Sequence, residues 1–190
     1  MFAERGYAHA SVDEIADRAG ITVAVIYRHF PSKEELHRSV LEEQWQAMLA
    51  NQRERVFAAP PGIERLRAAY SSYFEWFESH PLALRFIFRD AGGPPAVVEA
   101  QEAVARDASD SIASYLLGGS AGVDPGVRIV AEFLRGGTNT VAHWWLDNPG
   151  LARDEVVDRL VELTWSGLAP LGAEGRLMEA LRRPRNRRRR

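Results

Sequence analysis

Apolar residues return along this 190-residue chain at intervals of three and four, and no stretch alternates as a half-buried strand would. Val12, Ile15, Ala16 and Ala19 fall at i, i+3, i+4 and i+7, one face of a short helix. Ser11 and Glu14 have capping-box spacing at its start, and Gly20 supplies a left-handed stop. Thr22 can cap a second short helix with Ile26 and Phe30 stacked at i, i+4, which Pro31 ends. Ser32 and Glu35 make a second capping box, for a helix to about Phe57. After the break at 58–62 the pattern predicts helices over 63–79 and 82–90, a loop at 91–95, and then a long helix to Leu117. Asp124 and Pro125 then cap and open a helix to Leu146, which stops at Asp147-Asn148-Pro149-Gly150. The last helix runs from Arg153 to Gly167, with Val156, Val157, Leu160, Val161, Thr164 and Leu168 on one broad face. No internal repeat is visible, and the expected fold class is all-α.

Composition narrows the picture only modestly. A 46% hydrophobic and 26% charged chain is an ordinary globular one. Without cysteine there is neither a disulfide framework nor a Cys-ligated metal, which fits a reducing cytoplasm. No apolar run approaches the ~20 residues of a membrane span, and the N-terminus lacks the pattern of a secretory signal. The net charge of −2 hides an asymmetry: residues 174–190 carry eight Arg against two Glu, net +6, which leaves 1–173 at −8. Such a tail reads as a solvated terminus, or as a contact to nucleic acid or lipid.

The two short helices around Ala19–Thr22 have helix–turn–helix spacing, including the turn glycine. With Ile26 and Phe30 inward, Tyr27 lies about 100° round the wheel, toward the outer surface. Between Arg18 and Lys33 there is no acid, although Asp17 and Glu34 flank that window. Arg28, His29 and Lys33 thus gather donor groups in an acidic neighbourhood, which suits phosphate contact. Lys33 also begins a helix, where backbone N–H groups favour an anion. Taken singly, Tyr27 also fits an amphipathic core residue, His29 a surface histidine and Lys33 a solvated charge. Their spacing together favours DNA.

Phe-x-x-Arg-Gly-Tyr (2–7), Ser-Val-x-x-Ile-Ala-x-x-Ala-Gly (11–20) and Tyr-x-x-Phe-x-x-Lys-x-x-Leu (27–36) resemble the DNA-binding head of the tetracycline-repressor (TetR) family. The resemblance covers about the first 42 residues. It implies a ligand-responsive transcriptional regulator, a repressor that leaves a palindromic double-stranded operator when an unknown small molecule enters a larger helical domain. It implies a homodimer with no membrane association, cofactor or metal. The corresponding division is a head at 1–46, an effector-binding and dimerisation domain at 47–172 and the Arg-rich tail at 173–190. By the resemblance, Thr22, Tyr27, His29 and Lys33 align with phosphate-contacting positions, and Val23, Ala24, Val25 and Arg28 with positions facing base edges. Val23 stands where Lys, Arg or Gln is frequent, and Val25 where a small hydroxyl residue is. Valine reads no donor/acceptor pattern, so direct readout falls mainly on Arg28. Family heads have three helices; here only the last turn of the first, Phe2 through Gly6, is expected, with a dozen or more residues lacking. Val12, Ile15 and Ile26 would then lose apolar partners and the head would be poorly held.

Beyond the head, Tyr70, Tyr73, Phe74, Trp76, Phe77, Phe86 and Phe88 form an aromatic-rich stretch. Such a stripe is more often core than pocket, while the resemblance implies helices that enclose a ligand in an apolar pocket with a few polar groups. In the 125–146 helix, Glu132, Arg135, Asn139 and His143 fall within about 80°, opposite Val130, Phe133, Leu134, Val141, Trp144 and Trp145. That arc is either a solvated face, a ligand lining or part of a dimer seam. Candidate ligand residues are therefore Tyr70, Phe74, Phe77, Phe86, Arg135, Asn139 and His143. Mid-helix Gly136 and Gly137 cost about 1 kcal/mol each, which close approach of another helix would explain. The resemblance places the dimer in the last two helices, with Trp144, Trp145, Val157, Leu160, Val161 and Thr164 as candidates.

Two rival functions stand beside this one. Glu34-x-x-His37 has di-iron spacing but no second copy, and His80 with His143 could form a metal or catalytic pair. There is no Gly-x-Ser-x-Gly, phosphate loop or His-Glu-x-x-His, so an enzyme is not expected. The other rival is a helical ligand-binding or interaction dimer that no longer binds DNA specifically.

Overall fold

The computed structural model describes residues 1–88, 92–116 and 125–168, which form nine helices and no strand among the described residues. In chain order they are α1 (Phe2–His9), α2 (Val12–Ala19), α3 (Val23–His29), α4 (Lys33–Ala58), α5 (Ile63–Ser79), α6 (Pro81–Phe88), α7 (Pro95–Leu116), α8 (Pro125–Leu146) and α9 (Arg153–Leu168). The predicted ends at Leu117 and around 90, the cap at Asp124 and the tail at 173–190 lie outside the described residues.

Local chemistry explains most boundaries. Gly20 ends α2 with φ +66° and ψ +29°, and its N–H reaches the carbonyls of Ala16 and Asp17. Ser32 caps α4 by accepting the Glu35 N–H at 3.2 Å. The other expected box does not form: Ser11 turns its hydroxyl toward Asp13, and Glu14 is taken by Arg5 at 2.7 Å. The first helix also continues past the expected Gly6, bending there at φ +75° and running on to His9.

Two apolar clusters organise the chain. In the head, Val12, Ala16, Ile26 and Leu36 are buried together, with Phe2, Ile15, Val23, Phe30 and Val40 packed around them. Val12 and Ile26 therefore keep their partners, contrary to the loosely held head expected from the sequence. Only Ile15 faces an apolar groove of about 460 Å³, shared with Phe2, Leu36, Val40, Leu82 and Phe86. The larger cluster joins α4, α5, α6, α7, α8 and α9 through Leu41, Phe74, Leu84, Val104, Trp145 and Val161. Each fully buried large side chain there contributes about 1.5–3 kcal/mol. Phe2 and Val40 touch both clusters, so α1 and α4 tie head to body. No helix among the described residues is long and apolar enough to cross a membrane.

Candidate nucleic-acid interface

The head presents α3 by holding its opposite side. Ile26 is buried, and Val23 and Phe30 pack against the same cluster. Thr22, Ala24, Tyr27, Arg28 and His29 are then left exposed, Tyr27 at 47%. Val25 is half-buried. Of the four positions predicted to face base edges, Val23 spends part of its side chain on the head's own core. Ala24, Val25 and Arg28 remain available, and Arg28 alone among them carries hydrogen-bond donors on its side chain.

Lys33 opens α4 beside this row, and its surroundings were not legible in the sequence. Its ammonium sits 4.4 Å from the centre of the Tyr7 ring, a cation–π contact. The Tyr7 hydroxyl donates to Glu34 Oε1 at 2.7 Å. Burial first, and then this bond to a carboxylate, push the Tyr7 hydroxyl up to about 12. The same bond holds the Glu34 carboxyl below its usual range. Glu34 is thus engaged with Tyr7, and the acid nearest Lys33 in sequence is not left as an unpartnered charge. Arg18, at the end of α2, is held by Glu4 at 2.8 Å.

Behind Tyr7 stands His37, 2% exposed and boxed by three rings. Phe2, Tyr7 and Phe86 lie at centroid distances of 5.0, 5.5 and 5.0 Å, each roughly edge-on to the imidazole. Its Nδ1 has no hydrogen-bond partner. Burial, with a smaller push from Lys33, lowers the imidazole to about 4. With Glu34 bonded to Tyr7 and His37 enclosed by rings, the Glu34-x-x-His37 pair is not arranged as a metal site. His80 and His143 likewise turn Nδ1 back onto their own helices, to the carbonyls of Trp76 and Asn139.

Residues 1–40 match the family described as bacterial regulatory proteins, tetR family. Over 171 residues the chain is 32% identical to the HTH-type transcriptional activator FasR of Mycolicibacterium smegmatis, covering 89% of this chain and 78% of that one. The chain belongs to the tetR family. Over 80 residues it is also 39% identical to the HTH-type transcriptional repressor KstR2 of Mycobacterium tuberculosis, 42% of this chain and 40% of that one. The solved structure of KstR2, the ketosteroid transcriptional regulator of that organism, superposes with a TM-score of 0.64 and 27% identity over 88% of both chains. The exposed row on α3 lies within the matched head of this tetR-family transcriptional regulator.

In this tetR-family chain, the residues predicted to bind ligand fall into two groups. Tyr70, Phe74, Phe77 and Phe86 are all buried in the body cluster, Phe74 and Phe77 completely. Phe86 stands apart from the others, against His37 at the head junction. Arg135 reaches Ser109 of α7 at 3.0 Å and Glu132 on its own helix at 2.7 Å. Asn139 accepts the Tyr73 hydroxyl at 2.5 Å, and burial raises Tyr73 far above the usual phenol range. The polar arc of α8 is therefore not a freely solvated face, since it bonds into α5 and α7.

The predicted dimer residues need a larger correction. Trp145, Val157 and Val161 are buried in the chain's own core, and Thr164 is buried against Tyr70, whose hydroxyl lies 2.8 Å from its own. Leu160 packs on the same core. Four of these five are buried and Leu160 is half-buried; of the set, Trp144 alone is exposed, at 54%. Trp144 stands on an exposed stripe of α8 with Ile129 at 70% and Phe133 at 77%, two residues not among the dimer candidates, and Leu163 of α9 is exposed at 73%. Gly136 and Gly137 lie along this stripe, and a Cβ at either would meet nothing within 4 Å. The spacing 129, 133, 136/137, 140, 144 was the available signal. It was obscured because α8 is apolar on both its inner and outer sides.

Proposed function

We propose that this tetR-family regulator acts as a homodimer on a two-fold symmetric operator and is a repressor released by a small, largely apolar effector. The observation that carries the reading is the exposed row Thr22, Ala24, Tyr27, Arg28 and His29, continued by Lys33 at the start of α4. Phosphate-gripping and base-facing groups are thereby grouped on one face of the head. Pairing of two copies through Ile129, Phe133 and Trp144 is supported by their exposure, which is unusual for large apolar side chains on one stripe, and Leu163 of α9 is exposed as well. The open Cβ positions at Gly136 and Gly137 would let a partner helix approach closely.

Release by an effector is supported by the aromatic body and its few buried polar groups, Tyr73 with Asn139 and Ser109 with Arg135. The effector would exchange hydrogen bonds with Tyr73 or Asn139 while its apolar part displaces neighbouring rings. Repression follows the likeness to KstR2, named a repressor and a ketosteroid regulator. The 32% identity to FasR, named an activator, supports a second reading in which the same DNA contact promotes transcription. Selection of binding duplexes from a random pool tests the proposal. A symmetric motif with half-site centres about 34–36 Å apart, or a multiple, supports it, and an asymmetric motif or no enrichment overturns it. A reporter placed downstream of the selected site then separates repression from activation by the sign of its response.

A further inference from the structure

We propose that His37 is a positioning residue for DNA binding: its ring sets Tyr7, and through Tyr7 the ammonium of Lys33, against α6. This inference rests on the reading of Lys33 as a phosphate contact. The chain contains a single lysine; every other basic side chain among its 24 Lys and Arg residues is arginine. That lysine stands at the N-terminus of the helix beside the recognition row. An ammonium is a compact charge on a flexible stem, so its direction depends on what the stem leans against. Here it leans on the face of Tyr7, at 4.4 Å.

Tyr7 is held from two sides. Its hydroxyl is fixed by Glu34, the residue after Lys33, and its ring meets the His37 imidazole edge-on at 5.5 Å. The imidazole meets Phe86 of α6 at 5.0 Å. Phe86, His37, Tyr7 and Lys33 thus form one continuous contact from the body to the phosphate-facing ammonium. His37 makes no hydrogen bond through Nδ1. Shape, not polarity, does its positioning, so an aromatic ring of similar size should replace it.

The single lysine makes the test direct. Reductive methylation with ¹³C-formaldehyde labels Lys33 and the N-terminal amine, and it preserves both charges. The Lys33 methyl signal should show the upfield ring-current shift of a group above Tyr7. His37→Ala should move it toward the free-lysine position, and His37→Phe should restore it. A signal unmoved by His37→Ala, in a variant that keeps its helical circular dichroism, overturns the proposal. The second arm is a double-mutant cycle on operator affinity. His37→Ala should weaken binding about five-fold in the wild-type chain and less than about two-fold in the Lys33→Ala background. Equal losses in the two backgrounds overturn the proposal, because a purely structural His37 would cost the same in both. A wild-type chain that binds no operator sinks the functional reading instead, while the methyl signal still decides whether His37 positions Lys33.

Discussion

Acid should loosen this protein through His37. In the folded chain the imidazole titrates at about 4 because it is buried among Phe2, Tyr7 and Phe86, with Lys33 as the one charge acting on it. Unfolded, it returns to the ordinary value of about 6.5. A folded value below the unfolded one means that the unfolded chain binds more protons. Stability is then complete above about pH 6.5 and is lost as the pH falls toward 4. Between pH 7.5 and 5 the loss amounts to about 2 kcal/mol, with about 3 kcal/mol as the limit below pH 4. Urea denaturation of the wild-type chain and of His37→Phe at both pH values isolates this contribution, because every other titrating group is common to the two. His37→Phe also removes a buried nitrogen without a partner, so at pH 7.5 it should be at least as stable as wild type. The difference in stability between pH 7.5 and 5 should be about 2 kcal/mol smaller in the variant. Equal losses in the two proteins would refute the claim that the folded head holds His37 neutral.

Three further outcomes follow from other parts of the molecule. Phe133→Glu places a charge on the bare stripe of α8; sedimentation should show a dimer weakened by about 100-fold or more, since two buried rings are lost, and an unchanged dimer would exclude that face. Tyr73→Phe leaves the half-buried Asn139 acceptor without its donor and should cost about 1 kcal/mol in denaturant; no loss would mean that the acceptor finds another partner. Gly20→Ala forces a Cβ onto φ +66° and should destabilise the head by about 1–2 kcal/mol in thermal melts, since an open site offers no contact in return.

Helix positions were largely legible because their punctuation is local. Gly20, Pro31, Ser32 and Pro125 act on residues within one turn of themselves, and the observed ends lie where those residues stand. Ser11 shows the limit of that logic. Its capping-box partner Glu14 is drawn off by Arg5, which a bend at Gly6 brings alongside. The exposed row on α3 was legible for the same reason, since Ile26 and Phe30 define its inner side within one short helix. The Tyr7–Lys33–His37 arrangement was not, because it joins α1 to α4 across nearly thirty residues and depends on Phe86 from α6. The burial of four dimer candidates, Trp145, Val157, Val161 and Thr164, was hidden for a related reason. Trp145, Val157 and Val161 read as apolar on a wheel, but the wheel does not say that α5 and the rest of the body already cover them. In α8 the inner row Val127, Ala131, Ala142 and Trp145 and the outer row Ile129, Phe133 and Trp144 are both apolar, and only packing tells them apart.

The central claim is that α3 and the start of α4 grip DNA in a sequence-selective way. Its most direct test is a fluorescence-anisotropy titration of a duplex from upstream of the protein's own gene, against a scrambled duplex, at two salt concentrations, with wild type and Lys33→Ala. The account predicts selective binding that weakens with salt, and a log–log slope reduced by about one in the variant. Equal affinity for both duplexes, or a slope unaltered by losing the only lysine, would contradict it.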